Sequence, residues 1–388
     1  MLEQQEGFAP RAGVRAKEDP ALAGGILSID LQALVHNWRH IAALHPAAET
    51  AAVVKADAYG LGVREVAPAL WRAGCRDFFV ALPQEGELLR ALLPRARIFV
   101  LAGLPRGEGT FFQEHALLPV LNSVPEVEEW AAFCAAREVR LPAALHVDTG
   151  MNRLGLRPEE ARELARRAEL LGKFRPELIM SHLACADTPG HEMNARQRAL
   201  FDEIRALFAD VPASLANSAA ALAWPEWEYD LLRPGIALYG GNPFSDRPNP
   251  MQPVVSLYAT VLQVREVKKG ETVGYGATWR ARANARIAIL GVGYADGICR
   301  CLSGGPEGPA HVYIAGQFAP YVGRISMDLL AVDVTHIPEQ DLERGMRAEV
   351  LGSHVGVDEM ARWANTIPYE ILTSLGPRYT RLYTPARG

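Results

Sequence analysis

The stretch Ala51-Ala52-Val53-Val54-Lys55-Ala56-Asp57-Ala58-Tyr59-Gly60-Leu61-Gly62 is the most informative part of this sequence. It begins as a short apolar, β-branched run, which is typical of a buried strand, and it ends in glycines. Lys55 follows the run directly, and burying its charge is costly unless the amine is paired or used covalently. A desolvated lysine amine is suited to Schiff-base chemistry with carbonyl compounds. Because most lysines are exposed, other residues have to support this interpretation.

Composition and charge indicate a globular protein with two domains. At 388 residues the chain exceeds the usual size of one hydrophobic core. The hydrophobic fraction is 49%, the charged fraction is 22%, and the formal net charge is -5. Without a long basic run, nucleic acid and anionic membranes are not expected partners. No apolar segment approaches the roughly 18 residues that span a bilayer.

The N-terminus and the cysteines both favour a cytoplasmic protein. Residues 1–25 contain basic side chains but lack the apolar segment of a signal peptide, so we predict a mobile N-terminal tail. Five cysteines stand at positions 75, 134, 185, 299 and 301, without zinc-binding spacing. This pattern predicts reduced thiols and no metal site.

Residues 26–250 are predicted to form a TIM-like parallel (β/α)8 barrel. Asp30 is a predicted N-cap before an apolar helical face that starts at Leu31. Short apolar runs then alternate with segments mostly long enough for crossover helices, which is the pattern of a parallel barrel. The eight predicted strands are Ala51–Lys55, Phe78–Leu82, Arg97–Leu101, Leu117–Leu121, Ala143–Val147, Leu178–His182, Ser214–Asn217 and Tyr229–Arg233.

Residues 251–388 are predicted to form a mostly antiparallel β-strand domain. Four prolines between residues 243 and 253 predict a linker before it. Alternating, β-branched runs follow the linker, as expected for antiparallel strands. The predicted strands are Val254–Val267, Thr272–Gly276, Arg286–Val292, His311–Ile314, Leu329–Val334 and Ala348–Leu351.

Unusual polar residues follow the barrel strands where each strand ends. In (β/α)8 barrels the catalytic residues lie at this C-terminal face, and the loops after strands seven and eight commonly bind phosphate. Their clustering supports a catalytic role for Lys55. The candidates in chain order are Lys55, Tyr59, Arg153, His182, Asn217, Ser218, Arg233, Gly235 and Ile236.

Two of these loops carry groups that suit a phosphate dianion. The Ser218 hydroxyl and the backbone N–H groups of Gly235 and Ile236 are suitable donors. Ser218 is equally compatible with a role as a helix N-cap.

Arg233 ends a buried strand, and its permanently charged guanidinium can only donate. Pyridoxal phosphate (PLP) is the foremost carbonyl compound that such a lysine binds. If Arg233 faced the pyridine nitrogen of PLP, the guanidinium would keep that nitrogen unprotonated and make the cofactor a weaker electron sink. A structural ion pair, for example with Asp230, is the alternative. His182 is either a core histidine or a group that orients the guanidinium.

The second predicted domain contains three glycine-bounded turns. One is Gly274-Tyr275-Gly276, in which Tyr275 is either an ordinary strand residue or a general base whose pKa is lowered from ~10 by a nearby cation. The others, residues 291–297 and 323–328, contain Tyr294 and Met327 and by themselves predict only loops.

Together these segments resemble the alanine racemase family. The similarity extends over nearly everything from residue 26 to residue 388. Several motifs match in order and at plausible spacing, which makes the signal strong, whereas a single motif would be weak. The matching motifs are VVKADAYG, DTGMNRLG, the SH of IMSHLA, ANSAA, LRPGIALYG, VGYGATW, GYADG, GRISMD and IPYE.

The resemblance implies that PLP is the cofactor, attached to Lys55 as a Schiff base. Lys55 and Tyr275 would be the two catalytic bases, with Tyr275 supplied by the other subunit of a head-to-tail homodimer with shared active sites. Arg153 would contact the substrate carboxylate and the cofactor. The other implied contacts are Tyr59, Ser218, Gly235, Ile236 and Tyr369 at the phosphate, Asn217 beside it, Arg233 at the pyridine nitrogen with His182 supporting it, and Met327 and Tyr294 at the substrate pocket.

The implied activity is interconversion of L-alanine and D-alanine in the cytoplasm, supplying D-alanine for peptidoglycan. Two positions depart from the family pattern. His146 stands where many relatives have a lysine, often carbamylated, and Asn152 stands where glycine is common. Neutral histidine lacks the charge of a carbamate, so a chloride, a water or another side chain would have to orient Arg153.

Three alternatives stay open. A serine or broad-specificity racemase of the same fold would differ in the pocket near Met327 and Tyr294. A PLP-dependent decarboxylase of the same class would carry a glycine-rich phosphate loop and a Cys-Asp pair, and neither is found. A non-catalytic PLP-binding protein would be a barrel alone, and the second domain and the Tyr275 motif argue against it.

Overall fold

The structure, a computed structural model, describes residues 15–16, 22–227, 229–305 and 307–385. The chain forms two compact units. The β unit contains the described residues up to Leu34 together with residues 239–241 and 251–385, and the barrel unit contains residues 35–238 and 242–250. Most of the predicted tail, residues 1–14 and 17–21, lies outside the described residues. The predicted limits of the domains, 26–250 and 251–388, stay predictions.

The described chain begins with strands β1 (Arg15–Ala16) and β2 (Gly25–Asp30), followed by helix α1 (Leu31–Leu44). Asp30 is the N-cap of α1, because its Oδ1 accepts hydrogen bonds from the backbone N–H groups of Gln32 (2.8 Å) and Ala33 (3.1 Å). The predicted cap is therefore confirmed, while the strand immediately before it was not predicted.

Each of the eight runs predicted in the barrel overlaps a strand. The first run, Ala51–Lys55, contains β4, and a further short strand, β3, lies directly before the run. The strands are β3 (Glu49–Thr50), β4 (Ala52–Val53), β5 (Asp77–Val80), β6 (Arg97–Val100), β7 (Leu118–Leu121), β8 (Pro142–His146), β9 (Arg175–Met180), β10 (Ala213–Ser214) and β11 (Leu231–Leu232).

These strands form a closed parallel barrel. Strands β4 to β10 pair with their chain neighbours in one seven-stranded parallel sheet, and β11 pairs in parallel with β3. The gap between β10 and β11 is bridged where the Arg233 N–H donates to the Ala216 carbonyl at 2.9 Å. Fully buried aromatic side chains fill part of the core, among them Phe79 and Phe99, whose stacked rings have centroids 4.6 Å apart. The predicted TIM-like barrel is confirmed.

Helices connect successive barrel strands. Helix α6 shows how the sequence starts them, since Ser123 accepts a hydrogen bond from the Glu126 N–H at the N-cap and a proline occupies the first turn. The helices are α2 (Lys55–Tyr59), α3 (Val63–Ala73), α4 (Pro83–Leu92), α5 (Gly109–Glu114), α6 (Val124–Ala136), α7 (Pro158–Arg166), α8 (Ala168–Leu171), α9 (Glu192–Arg205) and α10 (Ser218–Ala223).

The β unit is built on one nine-stranded sheet that is mostly antiparallel, as predicted. Its order is β1-β20-β2-β12-β19-β16-β17, with β15 pairing to β12 and β18, and only β2 and β20 run parallel. The further elements are β12 (Val255–Val267), β13 (Thr272–Val273), β14 (Trp279–Arg280), β15 (Ala285–Leu290), β16 (His311–Ile314), β17 (Gln317–Pro320), β18 (Leu330–Asp333), β19 (Arg347–Leu351), β20 (Thr380–Thr384), α11 (Val357–Trp363) and α12 (Pro368–Thr373).

One strand predicted in the β unit is shorter than expected. The predicted strand Thr272–Gly276 ends at Val273, and Tyr275–Ala277 form a 3-10 turn. Gly274 and Gly276 have φ values of 77° and 72°, which no strand residue adopts. In the part of the chain that the structure describes, no helix has the length and apolarity needed to cross a membrane.

Candidate active site

Lys55 is followed at once by a left-handed turn. Ala56, Asp57, Ala58 and Tyr59 have φ between 53° and 56°, a conformation that costs free energy in residues with a side chain. Hydrogen bonds inside the turn hold it, from the Ala58 N–H to the Val54 carbonyl (2.9 Å) and from the Gly60 N–H to the Ala56 carbonyl (2.8 Å). Backbone strain of this kind is concentrated at functional sites.

Two carboxylates brace the left-handed turn, one from α4 and one from within the turn itself. Glu85, at the start of α4, accepts a hydrogen bond from the Ala56 N–H at 2.6 Å, and its second oxygen accepts from the Ala81 N–H at 2.7 Å. Asp57 accepts from the Val63 N–H at 2.8 Å, where α3 begins. The chain conformation directly after Lys55 is thereby fixed by groups on both flanking helices.

The Lys55 amine is half-buried, and its pKa is lowered from the ordinary value. Desolvation is the main cause, the positive charge of Arg153 adds to it, and the negative charge of Glu85 partly opposes it. A lowered pKa increases the neutral fraction of the amine, which is the form that acts as a nucleophile or a base.

Ser218 and Gly235 form a polar cradle at the ends of the last two barrel strands. The buried Ser218 Oγ accepts hydrogen bonds from the N–H groups of Gly235 (2.8 Å) and Ala237 (3.3 Å). A Cβ at Gly235 would lie 2.2 Å from the Tyr59 hydroxyl oxygen, so only glycine fits beside that hydroxyl. The predicted phosphate residues Tyr59, Ser218, Gly235 and the adjacent, buried Ile236 are therefore brought together.

The N-cap of α10 is Asn217, whose side chain accepts a hydrogen bond from the Ala220 N–H at 3.0 Å. The alternative that Ser218 caps this helix is wrong, because Ser218 is its first residue and its hydroxyl bonds the strand-eight loop.

Arg233 is a buried cation, with 4% of its surface exposed. Its guanidinium donates to the Ser214 hydroxyl and, at 2.6 Å, to the Ser181 carbonyl, and both acceptors are neutral. The alternative of an ion pair with Asp230 is wrong, because Asp230 is exposed and accepts from the Ala213 N–H at 2.7 Å. Burial lowers the pKa of Arg233 to about 9. A buried cation whose described partners are all neutral is suited to donate a hydrogen bond to an acceptor atom of a ligand.

His182 stands near this cation without bonding to it through its ring. Its pKa is well below the ordinary value because the ring is desolvated and because Arg233 is positive. Ser214 and the Ser181 carbonyl, which hold the guanidinium, were not predicted. The available signal was their position in the predicted strands, because Ser181 is next to the last residue of the sixth strand and Ser214 is the first residue of the seventh.

The loop that carries Arg153 is organised by Asp148. The Asp148 Oδ1 accepts hydrogen bonds from the N–H groups of Gly150 (2.9 Å) and Asn152 (3.1 Å). Asn152 has φ of 54°, a conformation that asparagine tolerates better than most residues and that explains why it can stand where glycine is common. Arg153 itself is exposed, and its charge lowers the pKa values of Lys55 and of His146.

His146 is buried and held in one tautomer by Asn122. The His146 Nδ1 lies 2.7 Å from the Asn122 Oδ1, while the Asn122 amide nitrogen donates to the Val120 carbonyl (2.7 Å) and the Leu101 carbonyl (3.3 Å). Because Asn122 can only accept from the ring, Nδ1 carries the hydrogen. Desolvation and the charge of Arg233 lower the His146 pKa to about 4, so the ring is neutral near pH 7.

In the β unit, the turn after β15 and the turn before β18 are paired. The Tyr294 N–H donates to the Ser326 carbonyl (3.1 Å) and the Ala295 N–H to the Met327 carbonyl (2.9 Å). This pairing places the predicted pocket residues Tyr294 and Met327, which are 43% and 53% exposed, next to each other. A Cβ at Gly293 would lie 2.3 Å from the Ser326 oxygen, so the close approach requires glycine.

Tyr275 lies at the tip of a hairpin next to these turns. It is 69% exposed between β13 and β14. The hairpin packs closely on the 323–328 turn, since a Cβ at Gly323 would lie 2.5 Å from the Val273 oxygen. Tyr369 is half-buried in α12, where its carbonyl accepts from the Thr373 hydroxyl at 2.8 Å. The four predicted site residues of the β unit are Tyr275, Tyr294, Met327 and Tyr369.

A charged network not predicted from the sequence supports the paired turns. Arg378 donates to Asp296 and to Asp328, each at 2.7 Å, and so joins the two turns. The buried Asp296 also accepts from the Gly293 N–H at 2.8 Å. An aspartate in each turn motif was the available signal, but the partner arginine lies 50 or more residues away.

Comparison with known proteins agrees with this geometry. The family models "Alanine racemase, N-terminal domain" and "Alanine racemase, C-terminal domain" match residues 29–243 and 254–383. The chain belongs to the alanine racemase family. It is 52% identical to an alanine racemase of Methylobacterium sp. (strain 4-46), over 93% of this chain and 98% of that protein. It is 46% identical to "Alanine racemase, biosynthetic" of Agrobacterium fabrum, over 93% and 94%.

Solved alanine racemase structures share the fold. The crystal structure of the Bartonella henselae alanine racemase with covalently bound pyridoxal phosphate matches with a TM-score of 0.89 and 40% identity, covering 93% of this chain and 100% of that one. The biosynthetic alanine racemase of Pseudomonas aeruginosa matches with a TM-score of 0.86 and 38% identity, covering 94% and 100%.

The residues of the barrel unit fit PLP, the cofactor of the alanine racemase family. Lys55 offers an amine with a lowered pKa, and Arg233 offers a buried cation whose hydrogen-bond partners among the described residues are all neutral. At Gly235 the absence of a side chain leaves room beside the Tyr59 hydroxyl.

Proposed function

We propose that this protein is a PLP-dependent alanine racemase, an isomerase that interconverts L-alanine and D-alanine. The observation that carries the proposal is the set of groups at one end of the barrel: the lysine amine of lowered pKa, the cation Arg233 and the cradle at Gly235. That set occurs in a chain 52% identical to a known alanine racemase. We further propose that it acts as a cytoplasmic homodimer and supplies D-alanine for peptidoglycan.

The predicted cofactor-binding residues each have a role in this proposal. Lys55 attaches the cofactor, and Tyr59, Ser218, Gly235 and Ile236 hold the cofactor phosphate. Ser218 already accepts two backbone hydrogen bonds, which orients its own hydroxyl hydrogen toward a further acceptor. The remaining contacts are Asn217 beside the phosphate, Tyr369 at the phosphate, Arg233 at the ring nitrogen and His182 as a neutral neighbour of Arg233.

Inversion at Cα requires one base on each face of the substrate. When bound, PLP supplies the electron sink that makes the Cα proton acidic. Lys55 removes or returns the proton on one face, and its lowered pKa favours the neutral amine that can accept it. Tyr275 of the partner subunit acts on the opposite face. Its exposed position at a hairpin tip suits a group that reaches into another molecule.

Substrate recognition follows from the remaining groups. Arg153 binds the substrate carboxylate, and its exposure leaves the guanidinium accessible. Met327 and Tyr294 limit the space for the substrate side chain. Pocket size alone discriminates by ~1–3 kcal/mol per methylene, so slow racemisation of serine is compatible with the proposal.

An isotope-exchange assay tests the proposal. Purified protein with PLP is given L-alanine, and separately L-serine, in deuterium oxide, and the enantiomer ratio and Cα deuterium are followed together. We expect equal amounts of both enantiomers from alanine, slower change from serine, and a large loss of activity in Tyr275→Phe. Exchange without inversion would contradict the role of Tyr275, and absence of exchange with either amino acid would leave only PLP binding.

A further inference from the structure

Cys299 and Cys301 form an exposed pair in the β unit. They flank Arg300, and the 3-10 turn Arg300–Ser303 brings their Cα atoms to 5.4 Å, with the two sulfurs bonded as a disulfide. The expectation of reduced thiols is therefore wrong for this pair. A turn was not predicted here, and it is the turn that places both side chains on the same side of the chain.

This disulfide contributes little to holding the fold. The two cysteines are separated by only two positions in sequence, so the bond closes a very short loop and restricts the unfolded chain least. The turn also has its own backbone hydrogen bonds, from the Leu302 N–H to the Cys299 carbonyl (3.1 Å) and from the Gly304 N–H to the Cys301 carbonyl (3.2 Å). The backbone is thus held whether or not the sulfurs are bonded.

The surroundings also accommodate the reduced pair. The Cys301 Sγ lies 3.4 Å from the Ala364 carbonyl oxygen, to which a thiol S–H can donate. The same turn is tied to the 323–328 turn, because the Ser303 hydroxyl accepts from the Ile325 N–H at 2.9 Å. Reduction therefore replaces one covalent bond by a hydrogen bond without requiring a new backbone conformation.

The other three cysteines are poorly placed for exchange. Cys75 and Cys134 are buried, and desolvation raises the pKa of both thiols, while Cys185 is half-buried. By contrast, Cys299 and Cys301 are exposed, and the cationic residue Arg300 lies between them in sequence. A nearby cation favours the reactive thiolate.

We propose that Cys299 and Cys301 are a thiol–disulfide exchange site for small-molecule thiols such as glutathione. A glutathione thiolate attacks one protein sulfur, forming a mixed disulfide and releasing the other cysteine as a thiolate, which takes up a proton. A second glutathione thiolate attacks the glutathione sulfur of the mixed disulfide. Glutathione disulfide leaves, the second cysteine takes up a proton, and two electrons have passed to the protein.

The full-length protein is equilibrated with defined ratios of glutathione to glutathione disulfide, alkylated, and digested with trypsin. Cleavage after Arg300 separates peptides 287–300 and 301–324, which remain joined only by the disulfide. We expect the joined peptides in oxidising buffer and two separate alkylated peptides in reducing buffer. The ratio of joined to separate peptides should change on the order of tenfold or more between the two buffers. Two thiols at every ratio, or a disulfide at every ratio, would refute exchange.

Single substitutions separate the steps. In Cys301→Ser the remaining Cys299 is expected to stop at the mixed disulfide, seen as one added glutathione on peptide 287–300. Cys185→Ser is the matched control and should titrate like the unchanged protein. Equal glutathione uptake at Cys185 and Cys299 would overturn the proposed selectivity. Racemase activity is not a readout of either arm, so failure of the proposed function would leave this test unaffected.

Discussion

The Nδ1 of His146 lies 2.7 Å from the Oδ1 of Asn122, and this contact fixes the imidazole as the Nδ1–H tautomer with Nε2 free to accept. The ring is buried, and its pKa is lowered to about 4 by desolvation and by Arg233 and Arg153, with Asp148 opposing them. The His146 ring therefore presents a neutral acceptor at its Nε2. That a chloride, a water or another side chain orients Arg153 in place of a carbamate stays a prediction.

Protein stability is expected to fall as the pH drops from ~6.5 toward 4. In the unfolded chain His146 has an ordinary pKa of ~6.5, so below that pH it binds a proton, whereas the folded form, with its pKa of about 4, stays neutral. The contribution of neutral His146 to the free energy of unfolding is therefore fully present above pH ~6.5 and is lost progressively as the pH falls toward 4, by on the order of 3 kcal/mol at most. Urea unfolding at pH 7 and pH 5 measures it.

His146→Gln is the control for this pH dependence, because an amide does not titrate in this range. Its free energy of unfolding should change less between pH 7 and pH 5 than that of the unchanged protein. Equal slopes for the two proteins would show that other groups, such as His182, account for the loss.

Gly235→Ala is expected to weaken PLP binding strongly. The new Cβ would lie 2.2 Å from the Tyr59 hydroxyl oxygen and would displace that hydroxyl from the cradle. Absorbance titration with PLP gives the affinity, and thermal unfolding shows whether the fold survives.

The double variant Gly235→Ala with Tyr59→Phe removes the clashing oxygen. It should unfold at a higher temperature than Gly235→Ala alone while still binding PLP weakly, because the hydroxyl is lost. If the double variant were less stable than either single variant, the contact between these two residues would not be the cause.

Arg233→Lys is expected to reduce racemisation by roughly 10- to 100-fold, the effect of losing charge-assisted hydrogen bonds of ~1.5–3 kcal/mol. A lysine cannot reproduce the fork that bonds Ser214 and the Ser181 carbonyl. Lys55 is unchanged, so the Schiff-base absorbance band should persist. Steady-state kinetics and the absorbance spectrum are measured on the same sample, and loss of the band would instead indicate a structural defect.

Arg378→Ala is expected to raise the KM for alanine more than it lowers kcat. The substitution removes the bonds to Asp296 and Asp328 that join the turns carrying Tyr294 and Met327, while it leaves Lys55 in place. Arg362→Ala is the matched control, since Arg362 pairs with Glu307 at the surface and should behave like the unchanged protein. If both variants showed similar kinetics, the bonds of Arg378 to Asp296 and Asp328 would not contribute to substrate binding.

Much of the barrel was predictable because its strands are apolar runs whose signal is local. Candidate site residues could be proposed from the sequence because a barrel gathers its strand ends at one face, where Lys55 and Arg233 both lie although they are far apart in sequence. The left-handed turn after Lys55 was not predictable, since Ala-Asp-Ala-Tyr contains no glycine and the conformation is imposed by Glu85 and by the turn itself.

Contacts between distant segments account for the other differences. The pairing of His146 with Asn122 joins residues 24 positions apart, the last residue of β8 and the residue directly after β7. Strand β2 was missed because its partners are β12 and β20, and no local pattern records a pairing across that distance.

The position of β2 bears on how the protein is made. Strand β2 is synthesised before the barrel strands, yet it lies between β12 and β20, which are synthesised after them. The barrel strands are synthesised in between and can pair among themselves during translation. The sheet of the β unit, however, stays incomplete until β12 and β20 have been synthesised, so β2 has unpaired edges while the barrel is being made, and such edges favour aggregation.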